Sequence, residues 1–225
     1  MRRHSHHGAF TVAHQHVVGD PDRQFFTIER VNDKQTGIHA LFLLRGEVGY
    51  INSNSDSMVY IAEDKSAVQR GLETLNECPL LKKIVVIDTK GVDMANDKLM
   101  TFEQLKQLGK ELDAKEPGLF EKLTDAVQID DLATFVYTSG TTGHPKGAMI
   151  THKNILAVFS GLDAVIPAYD TDETVPFLPL CHVFERMAGH LYGMKVGITT
   201  HYAQDFNTLI EDIQEKKPTI ILEIS

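Results

Sequence analysis

Hydroxyl, glycine and lysine side chains are concentrated in one short segment, residues 137–147, which reads YTSGTTGHPKG. Glycine lets the backbone approach a ligand closely, so successive N–H groups can form a nest for an anion. The hydroxyls can donate to phosphate oxygens, and the lysine adds a compact positive charge. We therefore predict a polyphosphate-binding loop whose ligands are Thr138, Ser139, Gly140, Thr141, Thr142, Gly143 and Lys146.

Two common phosphate-loop patterns do not fit this segment. A Walker A loop would need glycine where Pro145 stands and a hydroxyl where Gly147 stands. The Rossmann spacing G-x-G-x-x-G is also absent from it. The alternative is a flexible surface loop rich in Ser, Thr and Gly, but that reading does not explain the Pro-Lys pair at the loop exit.

Strand-like and helix-like segments alternate around the loop. Apolar runs predict strands at 58–62, 84–87, 134–137, 148–151, 198–202 and 219–224, with 175–180 extended because of its two prolines. Apolar stripes of helical period predict helices at 65–76, 102–112, 154–166, 183–194 and 206–213. Thr101 is the expected N-cap of the second helix and Asp205 that of the last. This alternation predicts an α/β fold with a mostly parallel sheet and flanking helices.

The first 55 residues show neither period, so the predicted division is a poorly patterned segment 1–55 followed by a patterned domain 56–225. Five histidines between residues 4 and 16 allow a metal site, but a frayed polar terminus is the favoured interpretation. The polar run 52–57 is predicted to be a loop by its composition.

Composition excludes several classes of function. The chain has 225 residues, a formal net charge of −9 and two cysteines. An acidic balance argues against nucleic-acid binding, which needs a basic face. No apolar run approaches the roughly 20 residues of a membrane span, and the N-terminus lacks the apolar core of a signal peptide. The sequence therefore predicts a cytoplasmic protein with reduced thiols, and it leaves peripheral membrane contact open.

A second block, residues 177–187, reads FLPLCHVFERM and lies downstream of the glycine-rich loop. Together the two blocks resemble the AMP-forming adenylate ligase superfamily, whose members include acyl-CoA synthetases, luciferases and nonribosomal peptide adenylation domains. The Phe-Glu-Arg-Met ending resembles the long-chain fatty acyl-CoA synthetase branch. The resemblance extends over roughly residues 56–219, so that 56–225 is predicted to be a partial AMP-binding domain of the adenylate-forming fold.

The resemblance implies an ATP-dependent reaction with a fatty acid and coenzyme A. The fatty acid carboxylate attacks the α-phosphate of ATP, giving acyl-AMP and pyrophosphate, and coenzyme A then displaces AMP. In this scheme the loop, including Lys146, holds the β- and γ-phosphates, and the Thr138 hydroxyl helps to hold Mg²⁺. His182 matches a histidine beside the acyl carboxylate, so His182 and Lys146 are the expected catalytic residues. Glu185 and Arg186 are taken as family markers without a catalytic role.

Several blocks of the family are absent from the 225 residues. They are the block with the Mg²⁺ carboxylate, the ribose-binding aspartate and the small C-terminal domain with its lysine. We therefore expect an N-terminal fragment of a long-chain fatty acid–CoA ligase that is inactive alone. Two alternatives stay open: a noncatalytic nucleotide-binding module, and one half of a split ligase that pairs with a complementing chain and uses a different acid.

Overall fold

The computed structural model describes residues 25–29, 45–138, 144–203 and 207–222, with backbone only for 25–29, 45, 46 and 138. The chain divides into two compact units. Among the described residues, the larger unit holds 25–29, 45–138 and 144–153, and the smaller unit holds 154–203 and 207–222.

A four-stranded parallel sheet forms the centre of the larger unit. Its strands are β1 (Phe25–Glu29), β2 (Ser57–Ala62), β3 (Lys83–Val86) and β4 (Leu99–Thr101), and they pair in that order. Strand β3 contains three consecutive apolar residues that are fully buried, as expected for a strand covered on both faces. The predicted strands at 58–62 and 84–87 are thus confirmed to within a residue.

Helix α1 (Arg45–Asn54) precedes β2 and packs on the core through Val48 and Ile51. The polar run 52–57 was predicted as a loop, but its first half continues this helix and Ser57 begins β2. Burial of Val48 and Ile51 keeps the polar end of the helix ordered, so tertiary packing overrides the local preference. The connecting turn uses Asp56 at φ 53°, a left-handed conformation that Asp tolerates better than most residues.

Three further helices belong to the larger unit. Helix α2 (Lys65–Glu73) begins at the N-cap Asp64 and is followed by a short 3₁₀ turn, Leu75–Glu77. Helix α3 (Phe102–Lys115) starts with the predicted N-cap Thr101, which forms a full capping box with Gln104. Helix α4 (Leu119–Ala126) was not predicted, because Pro117 and Gly118 indicated only a break in the pattern.

The glycine-rich segment lies between two antiparallel strands, β5 (Leu132–Thr138) and β6 (Lys146–Thr151). This hairpin is the exception to the otherwise parallel pairing in the described residues. Helix α5 (His152–Val165) follows β6 directly.

The smaller unit contains most of α5 and several short elements. Strands β7 (Glu173–Thr174) and β8 (Thr199–Thr200) pair in parallel, and Thr174 also forms an isolated bridge with Ile220. A π-helical segment, Glu185–Leu191, runs into helix α6 (Tyr192–Val196), and helix α7 (Leu209–Lys216) comes last. No helix in the part of the chain that the structure describes is long and apolar enough to cross a membrane.

Three predicted features of the smaller unit differ from the structure. The stripe 183–194 is split, since Met187 is buried while Val183 and Met194 are exposed. A π-helix winds more residues into each turn than the 3.6 of an α-helix, so a stripe drawn for the α period does not stay on one face. The predicted strand at 198–202 is reduced to Thr199–Thr200. Of the predicted strand at 219–224, the described residues 219–222 form a single bridge at Ile220, and 223 and 224 lie outside the described residues. Helix α7 begins after Thr208, so the N-cap assigned to Asp205 is wrong, and Asp205 itself lies outside the described residues.

Candidate nucleotide-binding site

The β5–β6 hairpin sets the two ends of the predicted phosphate loop opposite each other. Thr138, the last residue of β5, is the cross-strand partner of Lys146, the first residue of β6. The backbone therefore brings together the residues at which the loop leaves one strand and enters the next. The remaining predicted ligands, Ser139, Gly140, Thr141, Thr142 and Gly143, lie outside the described residues.

Lys146 is exposed at the mouth of the hairpin. Among the residues that the structure describes, no carboxylate forms an ion pair with its ammonium group. Pro145, directly before it, is buried. Because the φ of the buried Pro145 is fixed, the backbone direction just before Lys146 is restricted. The exposed Lys146 ammonium is therefore presented to an anion from a restricted backbone position.

Tyr137 occupies the base of the hairpin, one residue before Thr138. It faces Gly147 across the strands, and a Cβ at position 147 would lie 2.8 Å from Tyr137 Cζ. Glycine is required there because the tyrosine ring crosses the position of the missing side chain. The Tyr137 hydroxyl donates to Asn54 Oδ1 at 2.8 Å, and burial raises the pKa of Tyr137 to about 12. The hydroxyl therefore keeps its proton and acts as a donor at neutral pH.

His182 lies in the smaller unit, exposed at the start of the helical segment that follows Pro179. The Phe184 amide donates to His182 Nδ1 at 3.3 Å. An imidazole nitrogen that accepts a hydrogen bond carries no proton, so in the neutral ring the proton sits on Nε2. The exposed face of His182 can thus donate a hydrogen bond to an oxygen.

Glu185 is the most unusual group near His182. Only 2% of its surface is exposed, and Oε2 has no hydrogen-bond partner among the described residues. Burial raises the pKa of its carboxyl to about 7. Gly189 leaves the space that the carboxyl occupies, because a Cβ there would collide with Oε1. The family resemblance implies only a marker role for Glu185, and no pattern in the sequence signals its burial.

Arg186 does not neutralise this carboxyl. Its Nε donates to the Leu180 carbonyl at 2.9 Å, and burial lowers the pKa of its guanidinium. Tyr202 lies close enough to respond, since burial and then the Glu185 carboxylate raise the pKa of Tyr202. Between Leu180 and Tyr202, His182 is thus an exposed group that can donate a hydrogen bond, and Glu185 is a buried acid.

A metal bound by protein side chains alone does not fit the described residues, which contain no group of three or more His, Cys, Asp or Glu positioned for it. A Mg²⁺ ion that takes most of its oxygen ligands from phosphate and water needs fewer protein groups. At the hairpin mouth, the exposed Lys146 ammonium suits phosphate oxygens, and Thr138 as a ligand of a phosphate-bound Mg²⁺ stays a prediction.

The comparisons with known proteins identify the class to which the chain belongs. The model of a family described as AMP-binding enzyme matches residues 42–223. The chain therefore belongs to the AMP-binding enzyme family.

Its curated relatives include long-chain fatty-acid–CoA ligases. Fatty acyl-CoA synthetase B of Dictyostelium discoideum is 32% identical over 166 residues, covering 70% of this chain and 23% of that protein. Long-chain-fatty-acid–CoA ligase 6 of Homo sapiens is 33% identical over 191 residues, covering 78% of this chain and 26% of that protein. The chain thus spans about a quarter of the length of these relatives.

Solved structures give the same fold. The anthranilate CoA ligase AuaEII, in complex with anthranoyl-AMP, matches with a TM-score of 0.62 and 21% identity, covering 82% of this chain and 34% of that one. The N-terminal domain of FACL13 from Mycobacterium tuberculosis matches with a TM-score of 0.60 and 22% identity, covering 80% of this chain and 40% of that one. The α/β fold predicted from the sequence, a partial N-terminal domain of the adenylate-forming type, is confirmed.

Proposed function

We propose that this chain is the ATP-binding part of an AMP-forming ligase that activates a long-chain fatty acid for transfer to coenzyme A. The observation that carries the proposal is the β5–β6 hairpin, which sets Thr138 opposite Lys146 at the two ends of a glycine- and hydroxyl-rich loop. The relatives whose names contain long-chain fatty acid or fatty acyl-CoA support the substrate class.

In the proposed reaction the loop binds the β- and γ-phosphates of ATP. The Lys146 ammonium stabilises the negative charge that builds up as pyrophosphate leaves, and Thr138 supplies a hydroxyl to the phosphate-bound Mg²⁺. Mg²⁺, when bound, neutralises phosphate charge and orients the phosphates for in-line attack. These roles require positions at the hairpin mouth, which is where both residues lie.

His182 is proposed to orient the attacking carboxylate. In the neutral ring the proton sits on Nε2, because Nδ1 accepts a hydrogen bond from the Phe184 amide. A donor at this position can hold one carboxylate oxygen while the other attacks the α-phosphate, which gives a positioning effect without proton transfer. Replacing His182 by alanine would then lower the rate of adenylation more than it lowers the affinity for ATP.

The family resemblance implies that the whole reaction also uses a Mg²⁺ carboxylate, a ribose-binding aspartate and a lysine of a C-terminal domain, and the chain spans about a quarter of the length of its relatives. We infer that the 225-residue chain binds nucleotide but does not turn over by itself. A noncatalytic nucleotide-binding role and a split ligase with a complementing chain predict the same behaviour of the isolated chain. Addition of a chain that carries the missing blocks separates them, since only the split ligase gains activity.

ATP–pyrophosphate exchange with palmitate tests the proposal. The isolated chain should show no exchange above background. Robust exchange would contradict the inference that the isolated chain is inactive. The residues 42–223 can also replace the matching region of human long-chain-fatty-acid–CoA ligase 6. In that chimera, Lys146→Ala and Thr138→Ala should each lower kcat/KM for ATP, the lysine by about 10-fold or more. Unchanged values in both variants would refute the loop assignment.

A further inference from the structure

Helix α1 contacts the phosphate loop next to both of its ends. Before the loop, the Tyr137 hydroxyl donates to Asn54 Oδ1 at 2.8 Å. After the loop, the His144 ring stacks on the Tyr50 ring with centroids 4.5 Å apart and an interplanar angle of 13°. The two contacts flank residues 138–143 in the sequence, and one helix supplies both.

Tyr50 and Asn54 are four residues apart, so they share one face of α1. A different face of the same helix is fixed in the core through Val48, 2% exposed, and Ile51, 8% exposed. The helix is therefore anchored independently of the loop. The distance between Tyr50 and Asn54, which make the two loop contacts, is set by the helical backbone.

Tyr137 is held from two sides. Its ring crosses Gly147 on one side, and its hydroxyl reaches Asn54 on the other. Burial, followed by the effect of neighbouring Tyr50, raises the pKa of Tyr137, so the hydroxyl remains a donor. Tyr137, before the loop, is thus fixed in orientation, and His144, after residues 138–143, is held by its stack on Tyr50.

We propose that Tyr50 and Asn54 are positioning residues for the phosphate loop. Through Tyr137 and His144 they hold the two strand ends that flank the loop, and they thereby keep Lys146 in place for a phosphate group. This role rests on the proposed function, because it presumes that the loop binds ATP. Neither residue touches the nucleotide in this scheme.

The test measures the affinity of the 225-residue chain for ATP with Mg²⁺ by calorimetry. Tyr50→Leu removes the stack, and Tyr137→Phe removes the hydrogen bond while it keeps the ring. Each should weaken ATP binding by about 3- to 10-fold, the size expected for one aromatic pair or one hydrogen bond. Tyr50→Phe keeps the stacked ring and should restore affinity close to the original value.

The matched control is Tyr169→Leu, which makes the same substitution at an exposed tyrosine of the smaller unit. It should leave ATP affinity unchanged. In parallel, NMR of the His144 ring protons should show the upfield ring-current shift of a stacked imidazole, lost in Tyr50→Leu and kept in Tyr50→Phe. This readout does not depend on ATP.

The outcomes are distinct. Absence of saturable ATP binding by the unsubstituted chain overturns the proposed function, and the positioning role with it. If the unsubstituted chain binds ATP and both Tyr50→Leu and Tyr137→Phe bind it with the affinity of the unsubstituted chain, the positioning role alone is overturned. A His144 ring without the upfield shift in the unsubstituted chain overturns it as well. An equal loss in Tyr169→Leu also overturns it, since the effect is then general destabilisation.

Discussion

Glu185 should make the stability of the chain fall as the pH rises from about 4.5 to about 7. Burial raises the pKa of its carboxyl from 4.5 to about 7, so the folded state holds a proton that the unfolded state releases. The stabilising contribution is fully present below pH 4.5 and is lost as the pH passes through 7. An interval of about 2.5 pKa units at 1.36 kcal/mol per unit corresponds to about 3 kcal/mol.

The perturbation that isolates this effect is Glu185→Gln. Glutamine keeps the shape of the side chain and does not titrate, so the other ionisable groups cancel when the two proteins are compared. Urea unfolding of both proteins at a series of pH values gives the difference in unfolding free energy. From pH 4 to pH 8, the unfolding free energy of the unsubstituted chain should fall by about 3 kcal/mol relative to that of Glu185→Gln.

A flat difference across this range would refute the reasoning, because it would mean that the carboxyl ionises as it does in water. If the glutamine variant does not fold, ¹³C NMR of the Glu185 carboxyl in the unsubstituted chain replaces it. A midpoint near 7 agrees with the account, and a midpoint near 4.5 contradicts it.

The remaining predictions concern the larger unit. Thr101→Ala removes the capping box of α3 and should lower the free energy of unfolding, measured in urea, by about 1 kcal/mol. Thr101→Ser keeps a capping hydroxyl and should retain most of this stabilisation. Gly71→Ala places a Cβ 2.7 Å from the ring of the fully buried Tyr60, and it should cost about 1–3 kcal/mol. Gly109→Ala meets nothing within 4 Å and should stabilise α3 by about 0.5–1 kcal/mol, so equal effects of the two glycine substitutions would contradict the packing described here.

The sequence predicts the parallel core well, because its signals are local. In the apolar run 84–87, the first three residues are fully buried and Ile87 is 40% exposed. In the α2 stripe, Val68 is buried and Leu72 packs against the core. The stripe of α3 is less reliable. Phe102, Leu108 and Leu112 follow a helical period, yet 39–50% of each is exposed in the described part of the chain. Periodicity reports which face is apolar and does not report what covers it.

At the candidate site, the sequence predicts the loop and its lysine but not the groups around them. Glycine and hydroxyl composition signals an anion site directly, and the spacing of Thr138 and Lys146 is consistent with a hairpin. The contacts of Tyr50 and Asn54 join residues more than 80 positions apart in the sequence, and the buried Glu185 begins a π-helical segment. Such features arise from tertiary packing, which local patterns do not encode.

The predicted division of the chain at residue 55 stays a prediction. The described residues before it already contain β1, which pairs with β2, and α1, which packs on the same core. Limited proteolysis of two shortened chains, one beginning at residue 45 and the other at residue 56, measures whether the patterned region folds without α1.

The measurement that tests the central claim most directly is the affinity of the chain for ATP with Mg²⁺, compared between Lys146→Ala and Lys110→Ala. Both lysines are exposed, but Lys110 lies in α3 and Lys146 lies at the hairpin mouth. We expect saturable ATP binding that weakens by about 10-fold or more in Lys146→Ala and stays unchanged in Lys110→Ala. Equal affinity in the two variants, or no binding by the unsubstituted chain, would contradict this expectation.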